Sequence, residues 1–175
     1  MIIFIRSIIF NILFYVWTFI VVVSALPALV IGRQWTHRIS RYWGNGVTVL
    51  LHLVGIQVEI RGRHYLPSEP AIIASKHQSA WETTMIEIFV PEAVIILKKE
   101  LIKIPLFGRL LLNTGVISID RSKGRSVIPQ MVEGAKHAKE QGRSLFIFPE
   151  GTRTTAGERG TYRYGTYALY HQTGM

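Results

Sequence analysis

Between Arg6 and Arg33 the chain carries no charged residue. Residues 7–32 read SIIFNILFYVWTFIVVVSALPALVIG. A helix needs roughly 20 apolar residues to cross the hydrocarbon core of a bilayer, so this run is long enough to span one. It is too long for the apolar region of a cleaved signal peptide, which runs to about 7–15 residues before a small-residue cleavage site. It is also too long for an ordinary buried helix of a domain this size. Pro27 is expected to kink or end the helix, because it lacks an N–H and its ring crowds the preceding turn. Residues 35–54 form a second apolar-rich stretch with Arg and His spaced along it. That pattern suits a helix lying in the membrane interface with Trp35, Tyr42 and Trp43 near headgroup level. A re-entrant helical pair fits the same residues. Arg6 precedes the apolar run, whereas Arg33, Arg38 and Arg41 follow it. The positive-inside rule then directs the remainder of the chain to the cytoplasm. Residues 1–55 are therefore expected to be a membrane-anchoring helical region.

After Gly55 the pattern changes. Residues 56–60, 71–75, 94–97, 116–119 and 144–148 are short runs rich in β-branched and aromatic residues. Residues 80–90, 105–113 and 127–140 have helical patterning, and YGTYALYHQTG reads as a further short helix ending at Gly174. Strands alternating with helices predict an α/β domain over residues 56–175, with a mostly parallel sheet flanked by helices. Near-continuous apolar strands such as AIIAS and LFIFP fit a sheet covered on both faces. The longest polar loop is residues 152–163.

The net charge of +9 in 175 residues points to a polyanionic partner: nucleic acid, an anionic membrane surface or a phosphorylated substrate. The basic residues gather at strand ends rather than along one helix, and no nucleic-acid-binding motif is present, so nucleic acid is not the expected partner. The chain has no cysteine, which excludes disulfides, thiolate metal sites and a cysteine nucleophile.

In open α/β sheets ligands sit beyond the carboxyl ends of the strands, and four polar groups fall there. His77 ends the run AIIASKH, and Glu82 follows in the first turns of the next helix. A carboxylate so placed can hold an imidazole in one tautomer and stabilise its cation, which suits general-base removal of a hydroxyl proton. H-x4-E alone is a weak pattern, equally compatible with a loop His and an unrelated helical Glu. Phe148-Pro149-Glu150-Gly151-Thr152-Arg153 ends another strand, with Gly151 allowing close approach of a ligand to the backbone. Gly115 opens a third run that ends in Ile119-Asp120-Arg121. Arginine there suits bidentate phosphate binding, although a solvated basic loop fits too. Lys98 and Lys99 stand beside the apolar turn Pro105-Leu106-Phe107-Gly108, which could hold an acidic headgroup next to a lipid tail.

In this order, behind an apolar N-terminal segment, these blocks resemble the PlsC-type glycerolipid acyltransferases, which include 1-acyl-glycerol-3-phosphate acyltransferases. The first motif of that family is H-x4-D, matched by His77 with Glu82 in the Asp position. Its second is matched by Gly115, Ile119, Asp120 and Arg121, and its third, F-P-E-G-T-R, by residues 148–153 in full. The resemblance implies acyl transfer from acyl-CoA or acyl-carrier protein to the free hydroxyl of 1-acyl-glycerol-3-phosphate, with no metal or other cofactor. It implies His77 as base and Glu82 as its orienting partner. It also implies an acceptor site drawn from Lys99, Gly115, Arg121, Glu150, Gly151, Thr152 and Arg153, at a membrane of anionic lipids. Acyl transfer to a lyso-ornithine lipid or a lysophospholipid stays open, as does a membrane serine hydrolase using Ser75 or Ser79 with His77, although no G-x-S-x-G elbow is present. The family carries a fourth motif, an apolar Pro-containing strand beyond the third. The sequence stops at Met175 just after TYALYHQTG, so the resemblance implies a C-terminally truncated domain with an open sheet edge.

Overall fold

The computed structural model describes residues 1–175. Helix α1 (Ile2–Ser24) has a mean hydropathy of 2.2 over its most apolar window, and only 6% of that window is buried. The helix is long and apolar enough to cross a bilayer, and the rest of the protein leaves its apolar surface uncovered, which fits membrane association. α1 ends at Ser24, just before Pro27, as expected, and Pro27 caps the start of the short helix α2 (Ala28–Ile31), which its fixed φ suits. Gly32, at φ +134, then reverses the chain into α3 (Arg33–Leu53).

α3, expected either in the membrane interface or as one arm of a re-entrant helical pair, packs between α1 and the first helix of the α/β domain and leaves Trp35 and Tyr42 exposed. Trp17 Nε1 donates to the carbonyl of Trp43 at 3.1 Å, and Trp43 Nε1 donates to Thr18 Oγ1 at 3.0 Å. Gly46 lets the two helices approach: a Cβ there would stand 2.3 Å from the Trp17 ring. Gly44 does the same on the opposite side, where a Cβ would meet the Thr84 carbonyl at 2.5 Å. The segment reads as an interfacial helix in sequence because its faces alternate in polarity. Two glycines make those faces packing surfaces.

The α/β domain runs β1 (Ile72–Ala74), α4 (Trp81–Phe89), β2 (Val94–Lys98), α5 (Phe107–Asn113), β3 (Ile117–Ile119), α6 (Ile128–Glu140), β4 (Leu145–Ile147) and α7 (Tyr164–Thr173). All four strands are parallel, in the order β1-β4-β2-β3. Leu145 pairs with Ile72 on one side and Val94 on the other, and Ile96 pairs with Ile117. The central strand β4 is buried at every residue, as its unbroken apolar sequence requires. Met131, Val132, Ala135 and Ala138 of α6 and Leu169 of α7 cover one face, joining Leu145, Ile147 and Ile96 in the main core. Ile86 of α4 packs with Phe146 on the other face. Burial of each large aliphatic side chain contributes about 1.5–3 kcal/mol. The expected strand at residues 56–60 does not form: the segment pairs with no strand, and Ile56 and Ile60 are exposed. β-Branched residues favour a pleated surface only where a neighbouring strand completes the ladder, and none lies beside this segment.

With every strand parallel, their carboxyl ends share one edge. That edge gathers Lys76 and His77 after β1, Lys98 and Lys99 at β2, Asp120 and Arg121 after β3, and residues 148–153 after β4.

Candidate active site

His77 leaves β1 and is met by Glu82 from the first turn of α4, with His77 Nδ1 3.0 Å from Glu82 Oε1. The carboxylate also receives the backbone N–H groups of Gln78 at 2.5 Å and Ser79 at 2.7 Å, and the Ser79 hydroxyl at 2.5 Å. The Ser79 oxygen in turn accepts the N–H of Trp81 at 3.1 Å. These bonds are close to a capping box, S-x-x-E, except that the Ser79 oxygen takes the Trp81 rather than the Glu82 N–H; they seat the start of α4 and fix Glu82 at once. The signature stands in the sequence at Ser79 and Glu82 and is a signal that spacing from His77 alone misses. Partial burial pushes the Glu82 carboxyl up, but the hydrogen bonds from the Ser79 hydroxyl and N–H and from His77 outweigh it and hold it at about 2. Glu82 is therefore ionised and accepts only, so His77 Nδ1 carries the proton and Nε2 of the neutral ring carries the lone pair. The ring is held flat against Phe148, centroids 4.1 Å apart at 20°. Neither candidate serine bonds the ring: Ser75 donates to the Lys76 carbonyl and Ser79 to Glu82.

Glu150 is 2% exposed and turned inward. Its Oε2 lies 3.4 Å from the His77 N–H and from Thr154 Oγ1, and its Oε1 sits 3.5 Å from Lys76 Nζ. The Thr154 N–H donates to the His77 carbonyl at 2.8 Å. Glu150 thus ties the loop after β4 to the loop carrying the base. The polar stretch after it folds back over this carboxylate, and Gly160 is the residue that permits this, since a Cβ there would come within 2.8 Å of the Glu150 side chain.

Arg121 donates to the carbonyl of Gly151, bridging the ends of β3 and β4. Asp120 caps its turn by accepting the Ser122 hydroxyl at 2.6 Å and N–H at 3.1 Å, which draw the Asp120 carboxyl below its usual range. His77, Arg121, Thr152 and Arg153 line a cavity of about 590 Å³. Its inner wall is apolar, with Val21 and Val22 of α1 and Ile39 and Trp43 of α3. The volume is that of an ordinary small-molecule site. Lys98, rather than Lys99, reaches this cavity. Gly115 lies at the opposite, amino edge of the sheet. It turns at φ +81, and a Cβ there would stand 2.8 Å from Arg143 Nη1. The motif block contains Phe148 but not its role as the ring under His77, and the α1 and α3 residues of the cavity lie outside every motif; only packing brings them to the strand ends.

A parallel sheet that presents a His–carboxylate pair beside a cavity walled by apolar side chains of α1 and α3 has the form of an acyl-transfer site. An acyltransferase family model matches residues 57–175, and the chain belongs to that family. It is 37% identical over 123 residues to a 1-acyl-sn-glycerol-3-phosphate acyltransferase of Pseudomonas aeruginosa, covering 70% of this chain and 48% of the relative. It is 36% identical over 126 residues to the human 1-acyl-sn-glycerol-3-phosphate acyltransferase alpha, covering 69% of this chain and 44% of the relative. The chain thus spans about half the length of these relatives. The crystal structure of the 1-acyl-sn-glycerophosphate acyltransferase PlsC from Thermotoga maritima superposes with a TM-score of 0.79 at 20% identity, over 98% of this chain and 71% of that one, which establishes the shared fold.

Proposed function

We propose that this chain carries the machinery that moves a fatty acyl group from acyl-CoA or acyl-carrier protein to the free hydroxyl of 1-acyl-glycerol-3-phosphate, forming phosphatidate. The observation that carries the reading is the His77–Glu82 pair, 3.0 Å apart, at the polar end of a cavity walled by α1 and α3. The names of the relatives support the acceptor. His77 Nε2 takes the proton of the acceptor hydroxyl as its oxygen attacks the thioester carbonyl. The new C–O bond forms, the C–S bond breaks, and the sulfur leaves as a thiol with the proton from the imidazolium. Ionised Glu82 stabilises that cation while it lasts. Arg121 binds the acceptor phosphate, with Arg153 and Lys98 adding positive charge to the same cavity. The acceptor's acyl chain lies along the α1 and α3 side. α1 sits in the bilayer with the catalytic domain on the cytoplasmic face, where a net charge of +9 favours anionic lipids.

The test is an assay of membranes from expressing cells with 1-acyl-glycerol-3-phosphate, a lysophospholipid and a lyso-ornithine lipid, each supplied with both thioester donors. Transfer is expected to favour 1-acyl-glycerol-3-phosphate and to vanish in His77→Ala. Transfer to either other acceptor alone would replace the acceptor assignment, and no transfer from any thioester would overturn the reading.

A further inference from the structure

A second cavity of about 590 Å³ opens on the same rim, on the other side of the contact between Arg121 and Gly151. Both cavities reach Ile96, Arg121 and Phe148, and Phe148 is the ring on which His77 stacks. His77 itself lines only the first cavity; the second ends at Phe148, the ring against which His77 rests. The two cavities differ in chemistry. The first cavity includes residues of α1 and α3; the second includes none, and is formed by the rim, the loop leaving β4 and the starts of α6 and α7. Its floor is apolar, with Ile119, Val127 and Leu169, while Arg125 and Arg163 stand at its exposed border. Neither arginine has a carboxylate within ion-pair distance, the ion pairs of the chain being formed elsewhere. The Arg125 guanidinium lies 5.0 Å from the Tyr164 ring centroid, and the backbone N–H of Arg163 donates to the Pro149 carbonyl at 2.8 Å, which fixes the main chain from which that side chain leaves. Gly151, at φ +67, lies beside the Arg163 stem, where a Cβ would be 3.5 Å from Cγ.

Arg121, Arg125 and Arg163 thus converge on one cavity without a counter-charge from the protein. Such an arrangement is stabilised by an anion that accepts from guanidinium groups, and phosphate is the geometry they fit best. We propose that this cavity is the donor subsite: it takes the pantetheine arm of the thioester, with Arg125 and Arg163 binding the phosphate at the arm's end. The proposal rests on the acyl-transfer reading. That reaction needs two substrates. A lipid acceptor reaches His77 from the α1 and α3 side, while the donor is water-soluble and enters where neither of those helices lines the way. The apolar floor accommodates the methyl and methylene groups of the arm, and the thioester end lies toward Phe148 and His77. Acyl-CoA and acyl-carrier protein share this phosphate, so the subsite serves either source.

The experiment pairs kinetics with binding in detergent-solubilised protein. Arg125→Ala with Arg163→Ala is expected to raise the KM for the thioester donor about 10- to 100-fold, from the worth of charge-assisted hydrogen bonds, and to leave the acceptor KM within about 2-fold. Arg125→Lys with Arg163→Lys recovers part of the loss. Lys136→Ala, which removes a charge from the outer face of α6, leaves both KM values unchanged. Running acyl-CoA and acyl-carrier protein separately shows which source the protein uses, and the KM for that donor must rise. Calorimetry with CoA alone, which needs no turnover, is expected to show binding that the double Ala variant loses; thermal unfolding checks that the variant is folded. An unchanged donor KM in an active, folded double variant, or CoA binding that is absent or unaffected by the arginines, overturns the subsite. The acyl-transfer reading would survive that result, since it fails only if the unaltered protein transfers from no thioester.

Discussion

Glu82→Gln removes the charge that ties His77 to the start of α4 and keeps the side chain's length. The magnitude follows from the site. Glu82 is held at about 2 against an ordinary 4.5. That gap corresponds to at most about 3.5 kcal/mol of preference for the ionised form in the folded protein. The site stands at the rim, and solvent screening reduces the figure to about 1–2 kcal/mol. Because the folded value is depressed, the stabilisation is complete above pH 4.5 and is lost as pH falls towards 2. Chemical unfolding of both proteins in detergent at pH 7 and pH 3 measures it. Glu82→Gln should be about 1–2 kcal/mol less stable at pH 7, with less than half of that difference left at pH 3. Turnover at pH 7 should fall about 10²–10⁴-fold with little change in acceptor KM, because the imidazolium loses its counter-charge and His77 its fixed tautomer. A stability difference independent of pH would show that the ionised carboxylate is not what seats the α4 start. Near-normal turnover would show that His77 does not depend on it.

His77→Ala should lower turnover about 10²–10⁴-fold without unfolding the protein, as followed by initial rates and circular dichroism; near-normal rates would exclude it as the base. Arg121→Ala should raise the KM for a phosphorylated acceptor about 10- to 100-fold with a smaller effect on turnover, and an unchanged acceptor KM would move the phosphate site to Arg153 or Lys98. Gly46→Val puts carbon against the Trp17 ring and should cost about 1–3 kcal/mol by opening the α1–α3 pair; an unchanged melting temperature would mean that the pair is not closely packed there. The protein should stay with membranes through a high-salt and carbonate wash, since hydrocarbon contact of α1 is insensitive to salt; release by salt alone would show that charge, not insertion, holds it.

Sequence by itself determined the uncharged N-terminal helix, the alternation of strands and helices, and the polar residues at strand ends. These follow from local causes: run length, side-chain periodicity, and the turn residues that stop a strand. It also placed α7 against Gly174, which adopts φ +60 there. What only the tertiary structure decided is which of these parts meet. The insertion of β4 between β1 and β2 puts Phe148 under His77 and Glu150 behind it, although those residues are far apart in the chain. The same strand order leaves Gly115 at the far edge, where its freedom serves a turn over Arg143. Residues 56–60 have the composition of a strand but no partner to pair with. The polarity of α3 left an interfacial helix and a re-entrant helical pair both open, and Gly44 and Gly46 are what let it close on α4 and α1. In each case the deciding quantity is a contact between distant segments. Propensity and spacing describe what a segment can become; the neighbour that completes its hydrogen bonds or fills its packing decides which outcome is stable.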